Sequence, residues 1–315
     1  MTEMEYRQLG DSGLTVSVVG LGCNNFGGRI GADQADAVVN AAVDAGITLF
    51  DTADVYGDRG GSEEILGASL GKRRDEVLIA TKFGGDMKGV NGPDWGVRGS
   101  RRYIRKAVES SLRRLGTDWI DLYQLHVPDP ITPIEETLAA LSELVADGKV
   151  RYIGSSQFAG WQVVDADWAA RTAGLEHFVS AQNKYSLLDR EIEDEVVPAC
   201  EHLGIGIVTY SPLAGGLLTG KYQRGEAAPE GTRLATQPER LARADFDKIE
   251  ALDTFAAERD VTLLDVAIGG LAAQPAVGSV IAGATTPEQI AQNVAAGQWE
   301  PTTEDLAILD ELTLT

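Results

Sequence analysis

The chain has 315 residues, of which 43% are hydrophobic and 24% charged. That balance excludes a disordered or fibrous protein and suits one large domain over residues 1–315 better than two enzyme domains with linkers. With 27 basic against 48 acidic residues the formal charge is −21, and no segment concentrates basic residues, which argues against nucleic acid or an anionic membrane as a partner.

In chain order, short apolar runs that end in glycine or polar residues fall at Val16–Gly22, Thr48–Ala53, Val77–Lys82, Leu122–His126, Tyr152–Ser156, Val179–Lys184, Ile205–Ser211 and Ser279–Gly283. Helical periodicity separates them, near 33–45, 62–70, 100–116, 133–147, 160–173, 189–202, 246–258, 261–273 and 287–297. Ser62 and Ser100 stand where N-caps are expected, and Pro133 and Pro287 follow Thr132 and Thr286 at the first helical position. Strand alternating with helix implies a parallel sheet. Eight units predict closure into a (β/α)8 TIM barrel, an α/β fold, and no Gly-x-Gly-x-x-Gly turn follows the first strand to favour an open sheet. The uncharged stretch Val266–Pro287 is broken by Gln274-Pro275, so it reads as a helix end, a turn and a strand, not a membrane span. Residues 83–100 and roughly 212–245 are long connections after strands, which places both over the C-terminal face of a barrel. Two cysteines, Cys23 and Cys200, are too few for a disulfide framework. The acidic start Met1–Glu5 has no signal-peptide pattern, so a cytoplasmic chain with both thiols reduced is expected.

Three consecutive strands end in ionisable groups, Asp51, Lys82 and His126, and Tyr56 lies just after Asp51. Singly, Asp51, Lys82 and His126 have ordinary explanations: a helix or turn cap, a solvated rim charge, a satisfied core histidine. Together they converge on one barrel mouth. A nearby ammonium favours phenolate, so Lys82 would ease proton donation by Tyr56, while Asp51 holds the ammonium and His126 orients a carbonyl oxygen. Such a site protonates an oxygen that is gaining charge; the hydride must come from a nicotinamide cofactor.

The motif Asp51-Thr52-Ala53-Asp54-Val55-Tyr56-Gly57, with Ser62-Glu63, Leu66-Gly67, Lys82 and His126, resembles the aldo-keto reductases, and the likeness runs from Arg7-Gln8-Leu9-Gly10 to Asn293. The segment Tyr210–Lys221 is most similar to the bacterial and potassium-channel β-subunit branches. Those channel subunits carry Asn where this chain has His126. The resemblance implies a catalytic tetrad of Asp51, Tyr56, Lys82 and His126. It implies that Ser156, Gln157 (Asn in the family) and Gln182 hold the nicotinamide amide and that Tyr210 stacks on the ring. Ser211, Pro212, Leu213 and Gly215, with Lys221 and Arg233, would take the pyrophosphate. Gly283, Thr285, Gln289, Gln292 and Asn293 would take the adenosine end, and Gly22, Cys23, Asn24 and Asp51 complete the set. The mammalian branch meets the extra phosphate of NADP with a Lys and an Arg where this chain has Gly283 and Gln289. The channel-like branch uses hydroxyl and amide contacts with a Lys, which Thr285, Gln289 and Lys221 would reproduce, so NADP(H) is favoured over NAD(H).

The expected activity is NADPH-dependent reduction of a small-molecule aldehyde or ketone, without a metal, with the substrate pocket lined by residues such as Asn25, Phe26, Asp86 and Trp95. Two other readings stay open: a nicotinamide-binding regulatory subunit with little turnover, and a barrel in which Lys82 forms a Schiff base. The sequence also admits a homo-oligomer.

Overall fold

The apolar runs close into a barrel of eight parallel strands in the computed structural model, which describes residues 4–314. In chain order the elements are β1 (Tyr6–Gln8), β2 (Thr15–Ser17), β3 (Val19–Gly22), α1 (Ala32–Asp44), β4 (Leu49–Asp51), α2 (Tyr56–Leu70), β5 (Leu78–Phe83), α3 (Arg101–Leu115), β6 (Ile120–Leu125), α4 (Ile134–Ala146) and β7 (Val150–Ser156). There follow α5 (Gly160–Ala173), β8 (Ser180–Lys184), α6 (Val196–Leu203), β9 (Gly206–Tyr210), α7 (Pro238–Ala242), α8 (Phe246–Ala257), α9 (Leu263–Ala272), β10 (Val277–Gly283), α10 (Pro287–Ala296) and α11 (Thr303–Thr313). Around the barrel the strands run β10-β3-β4-β5-β6-β7-β8-β9.

The first apolar run does not form one strand. It breaks at Val18 because Ser17 turns the chain: its hydroxyl donates to the Val19 carbonyl and accepts from the Thr48 amide. The part before the break pairs antiparallel with β1 as a hairpin that sequence patterning did not reveal. Leu9, Leu14 and Val16 of this hairpin pack against Leu49, Ala80, Leu122, Val208 and Ile281 of the barrel strands. Because Gly206 and Gly278, at the strand starts, lie against Leu9, the hairpin plugs the N-terminal end. The opposite end is left to the loops.

α4 buries one stripe, as amphipathic spacing dictates, with Leu138, Leu141 and Leu144 each contributing roughly 1.5–3 kcal/mol, whereas α9 is buried nearly all round from Val266 to Ala272. Ser100 caps α3 and Thr286 caps α10 with Pro287 at the first position, as expected. Ser62 is no cap; it is buried inside α2 and its hydroxyl donates to the Cys23 carbonyl. Pro133 is the N-cap residue of α4 and not its first helical residue. The helix expected over 189–202 is split, with a short 3-10 turn at Glu191–Glu193 before α6. α11 was not anticipated, although Thr302 and Asp305 form a capping box at its start. Val266–Pro287 folds as the body of α9, a turn and β10. Among the described residues no helix is long and apolar enough to cross a membrane.

Candidate active site

Every barrel strand delivers a polar group or a glycine at its C-terminal end. Gly22, Asp51, Ser156, Tyr210 and Gly283 are the last residues of β3, β4, β7, β9 and β10; Lys82 is next to last in β5, Lys184 ends β8 with Gln182 at its middle, and His126 directly follows β6. Parallel register sets Gly283 beside Gly22 and Gly22 beside Asp51.

At the centre lies a buried ion pair. The fully buried Lys82 donates from Nζ to Asp51 Oδ2 at 2.6 Å and to the Thr52 carbonyl at 2.9 Å. Asp51 Oδ1 accepts from Gln182 Nε2 at 2.7 Å and, more weakly, from Gln124 Nε2 at 3.5 Å. A buried carboxylate needs this saturation, since desolvating an unpaired charge costs several kcal/mol. The third Lys82 contact is Tyr56, whose hydroxyl is 3.5 Å from Nζ. The His126 ring stands edge-on to the Tyr56 ring with centroids 5.7 Å apart.

The electrostatics differ in one respect from expectation. Burial raises the Tyr56 phenol pKa above its ordinary value, and the nearby Lys82 charge, which opposes this, does not overcome it. Tyr56 is therefore held as a neutral proton donor, and Lys82 acts on the anion only once the proton leaves. Burial on its own would lower the Lys82 pKa, but Asp51 and then Tyr56 more than offset it, so the ammonium is retained. A retained ammonium is a poor amine nucleophile, which counts against the Schiff-base reading. Burial, and then the Lys82 charge, push His126 down to about 3, so its imidazole is neutral near pH 7.

The remaining motif residues form a second buried polar frame behind Tyr56. Glu63 accepts from Thr81 Oγ1 and from Arg114 Nε, each at 2.6 Å. Arg114 also donates to Asn91 Oδ1, and Asn91 Nδ2 donates to Asp54 Oδ2. Thus Asp54, Ser62 and Glu63 fix the segment from Thr52 to Ser62, within which Gly57, Asp58, Arg59 and Gly60 all have positive φ. That left-handed turn sets Tyr56 off from the regular helix that follows, and non-glycine residues adopt it only where the surroundings enforce it.

Beside this centre a cleft of about 690 Å³ runs outward, a size that suits a bound small molecule. Of the expected contacts, Gly22, Asn24, Asp51, Tyr56, Tyr210, Ser211, Pro212, Leu213, Gly215, Lys221, Arg233, Gly283, Thr285, Gln289, Gln292 and Asn293 line it. Ser156 and Gln182 are buried beyond the lining. Cys23 is buried too, with Sγ near the Leu21 carbonyl, and its thiol pKa is raised by burial first and the Asp51 charge second. Gln157, at a φ of 59°, spends its amide on the His126 carbonyl at 3.0 Å. Among the residues expected to meet substrate, Asn25 lines the cleft. Phe26 is fully buried in the core, Asp86 pairs with Arg98, and Trp95 is exposed with Arg102 stacked on it at 4.2 Å. A second cavity of about 680 Å³, near Lys184 and Arg240, contains none of the four central residues.

The cleft suits a nicotinamide nucleotide on three observations. Ser156 Oγ and His126 Nδ1 are buried with no partner in the fold. Gly215 and Gly216 have positive φ, and side chains there would run into Arg240 and Lys221, so bare backbone lies against two cations. Helix α10 starts at the far end, where Gln289 Oε1 accepts from the Thr285 amide and hydroxyl, leaving its NH2 to donate. Among the described residues no cluster of metal-ligating side chains is present.

Sequence reading missed Gln124, whose signal was a polar residue within an apolar run, and the lining residues Arg29, Thr262 and Asp265, which carry no motif; Thr219, also in the lining, lies in the Tyr210–Lys221 motif but was given no role.

Comparison with known proteins matches residues 18–313 to the aldo/keto reductase family model. An uncharacterized oxidoreductase, YrpG, of Bacillus subtilis is 39% identical over 98% of this chain and 96% of its own length. A probable voltage-gated potassium channel subunit beta of rice, Oryza sativa, is 36% identical, covering 93% of this chain and 91% of that protein. An L-glyceraldehyde 3-phosphate reductase of Escherichia coli O157:H7 is 34% identical over 98% of this chain and 92% of its own.

Proposed function

Because the chain belongs to the aldo/keto reductase family, we propose that it reduces an aldehyde or ketone to an alcohol with NADPH, residues 1–315 acting as one unit in the cytoplasm. The observation that carries this is a neutral phenol set 3.5 Å from a buried, paired ammonium. A nicotinamide nucleotide, when bound, would supply the hydride, chemistry that no side chain offers. Tyr56 donates its proton to the carbonyl oxygen as that oxygen gains negative charge. The phenolate left behind is stabilised by Lys82, held in place by Asp51 and the Thr52 carbonyl. A preorganised charge of this kind acts at the transition state without reorganising. Neutral His126 orients the oxygen. Ser156, with Gln157 and Gln182, would hold the nicotinamide amide, Tyr210 would face the ring, the Ser211–Gly216 backbone with Lys221 would take the pyrophosphate, and Thr285, Gln289 and Asn293 the adenosine end.

The potassium-channel-like relatives keep a regulatory subunit as the second reading. A panel of aldehydes and ketones with NADPH separates the two. The proposal expects one alcohol formed per nucleotide oxidised, with steady turnover. Tight nucleotide binding without turnover on any carbonyl supports the regulatory role.

A further inference from the structure

In a chain with a net charge of −21, a guanidinium without a carboxylate partner calls for explanation. Arg29, in the loop between β3 and α1, and Arg233, in the long loop after β9, line the same cleft. Neither belongs to any ion pair among the described residues. They are close enough to repel: Arg233 has a lowered pKa, through burial first, then the charge of Arg29, then that of Arg240. The carboxylates that line the cleft do not relieve this. Asp51 is spent on Lys82 at the inner end, and Asp265 is bonded to the amide and hydroxyl of Thr262.

The loop carrying Arg29 is fastened to the outer end of the cleft. Asn25 Nδ2 in the loop donates to the Ala284 carbonyl at 3.4 Å, and Gln34 Nε2, in the first turn of α1, to the Thr285 carbonyl at 2.6 Å. Arg29 itself reaches across and donates from one terminal nitrogen to the Gly231 carbonyl at 2.7 Å. That single contact orients it and leaves its other N–H groups and its charge without a protein partner among the described residues.

Resting on the nucleotide-binding reading above, we propose that Arg29 is a specificity residue that binds the 2′-phosphate of NADP, with Arg233 as its neighbour. This is the cation that Gly283 and Gln289 do not provide. The pyrophosphate is the other phosphate the cleft would hold. Its cradle is the Ser211–Gly216 backbone with Lys221, whereas Arg29 lies in the loop that Asn25 ties to the Ala284 carbonyl, next to Thr285 at the outer end. A phosphate between two arginines replaces their mutual repulsion with charge-assisted hydrogen bonds.

The test is affinity rather than turnover. NADP⁺, NAD⁺, 2′-AMP and 5′-AMP are titrated by calorimetry into the wild type, Arg29→Gln and Arg29→Lys. Removing a charge-assisted contact should weaken NADP⁺ and 2′-AMP about 10- to 100-fold, leave NAD⁺ and 5′-AMP within about twofold, and reduce the salt dependence of NADP⁺ binding. Arg29→Lys should recover part of the loss. Equal weakening of NADP⁺ and NAD⁺ would assign Arg29 to holding the Gly231 loop and overturn the proposal, as would unchanged NADP⁺ affinity. Wild-type protein that binds none of the four ligands would instead overturn the nucleotide-binding reading itself.

Discussion

Asp51 and Lys82 are each other's justification for being buried: Lys82 has no exposed surface, and its three polar contacts all lie inside the barrel. Asp51→Asn and Lys82→Met should therefore each lower the reduction rate, and the double variant should be little worse than the poorer single. Fully additive losses, read as kcat on one active carbonyl, would show that the two do not act as a unit. His126 gives a prediction about stability and pH. Its pKa falls to about 3 in the folded chain, against about 6.5 when unfolded. Below pH 6.5 the unfolded chain takes up this proton and the folded chain does not, so stability is lost as pH falls towards 3. Relative to the wild type, His126→Asn should gain ~1–3 kcal/mol between pH 7 and pH 4 in urea denaturation; a constant difference between the two would contradict the assignment. Asp51, Lys82 and His126 were legible in the sequence because each sits at, next to or just after a strand end, where side-chain direction is fixed by topology, and Tyr56 because it shares a motif with Asp51. Arg29 was not, because its meaning comes from the distant Gly231 and Arg233.

The link between α2 and α3 is a further case of information spread along the chain. Glu63, fully buried, is held by Arg114 of α3 and Thr81 of β5. Removing one member of a buried pair leaves the other uncompensated, at about 3–5 kcal/mol. Arg114→Met should cost that much in thermal or chemical unfolding, whereas Arg105→Met, which breaks an exposed pair with Glu143, should cost under about 1 kcal/mol. Equal effects would mean that the frame behind Tyr56 contributes little. The sequence motif contains Asp54, Ser62 and Glu63, yet local reading makes Ser62 a helix cap. Its partners Thr52 and Cys23 come from the ends of other segments, and no local pattern reports them. The β1–β2 hairpin escaped notice for a related reason: its strands have three residues each, too short for alternation to show.

Across the molecule, eight repeats of strand and helix were enough to predict the closed barrel, because a parallel strand pair demands a helical crossover and eight of them complete the circle. Which carbonyl enters was not legible. The loops over the mouth, 83–100 and 212–245, fold as turns, with short 3-10 segments and α7 in the second, held by side-chain contacts such as Arg98 with Asp94 and Arg224 with Glu250, and these follow from no periodicity. The proton donor is independent of that choice, so it carries the central claim. The direct measurement is single-turnover reduction by Tyr56→Phe beside the wild type, with NADP⁺ affinity recorded on both. The account predicts a loss of about 10²–10⁴-fold in the chemical step with affinity for the nucleotide nearly unchanged. Reduction within a few-fold of the wild type would remove Tyr56 from the chemistry and contradict it.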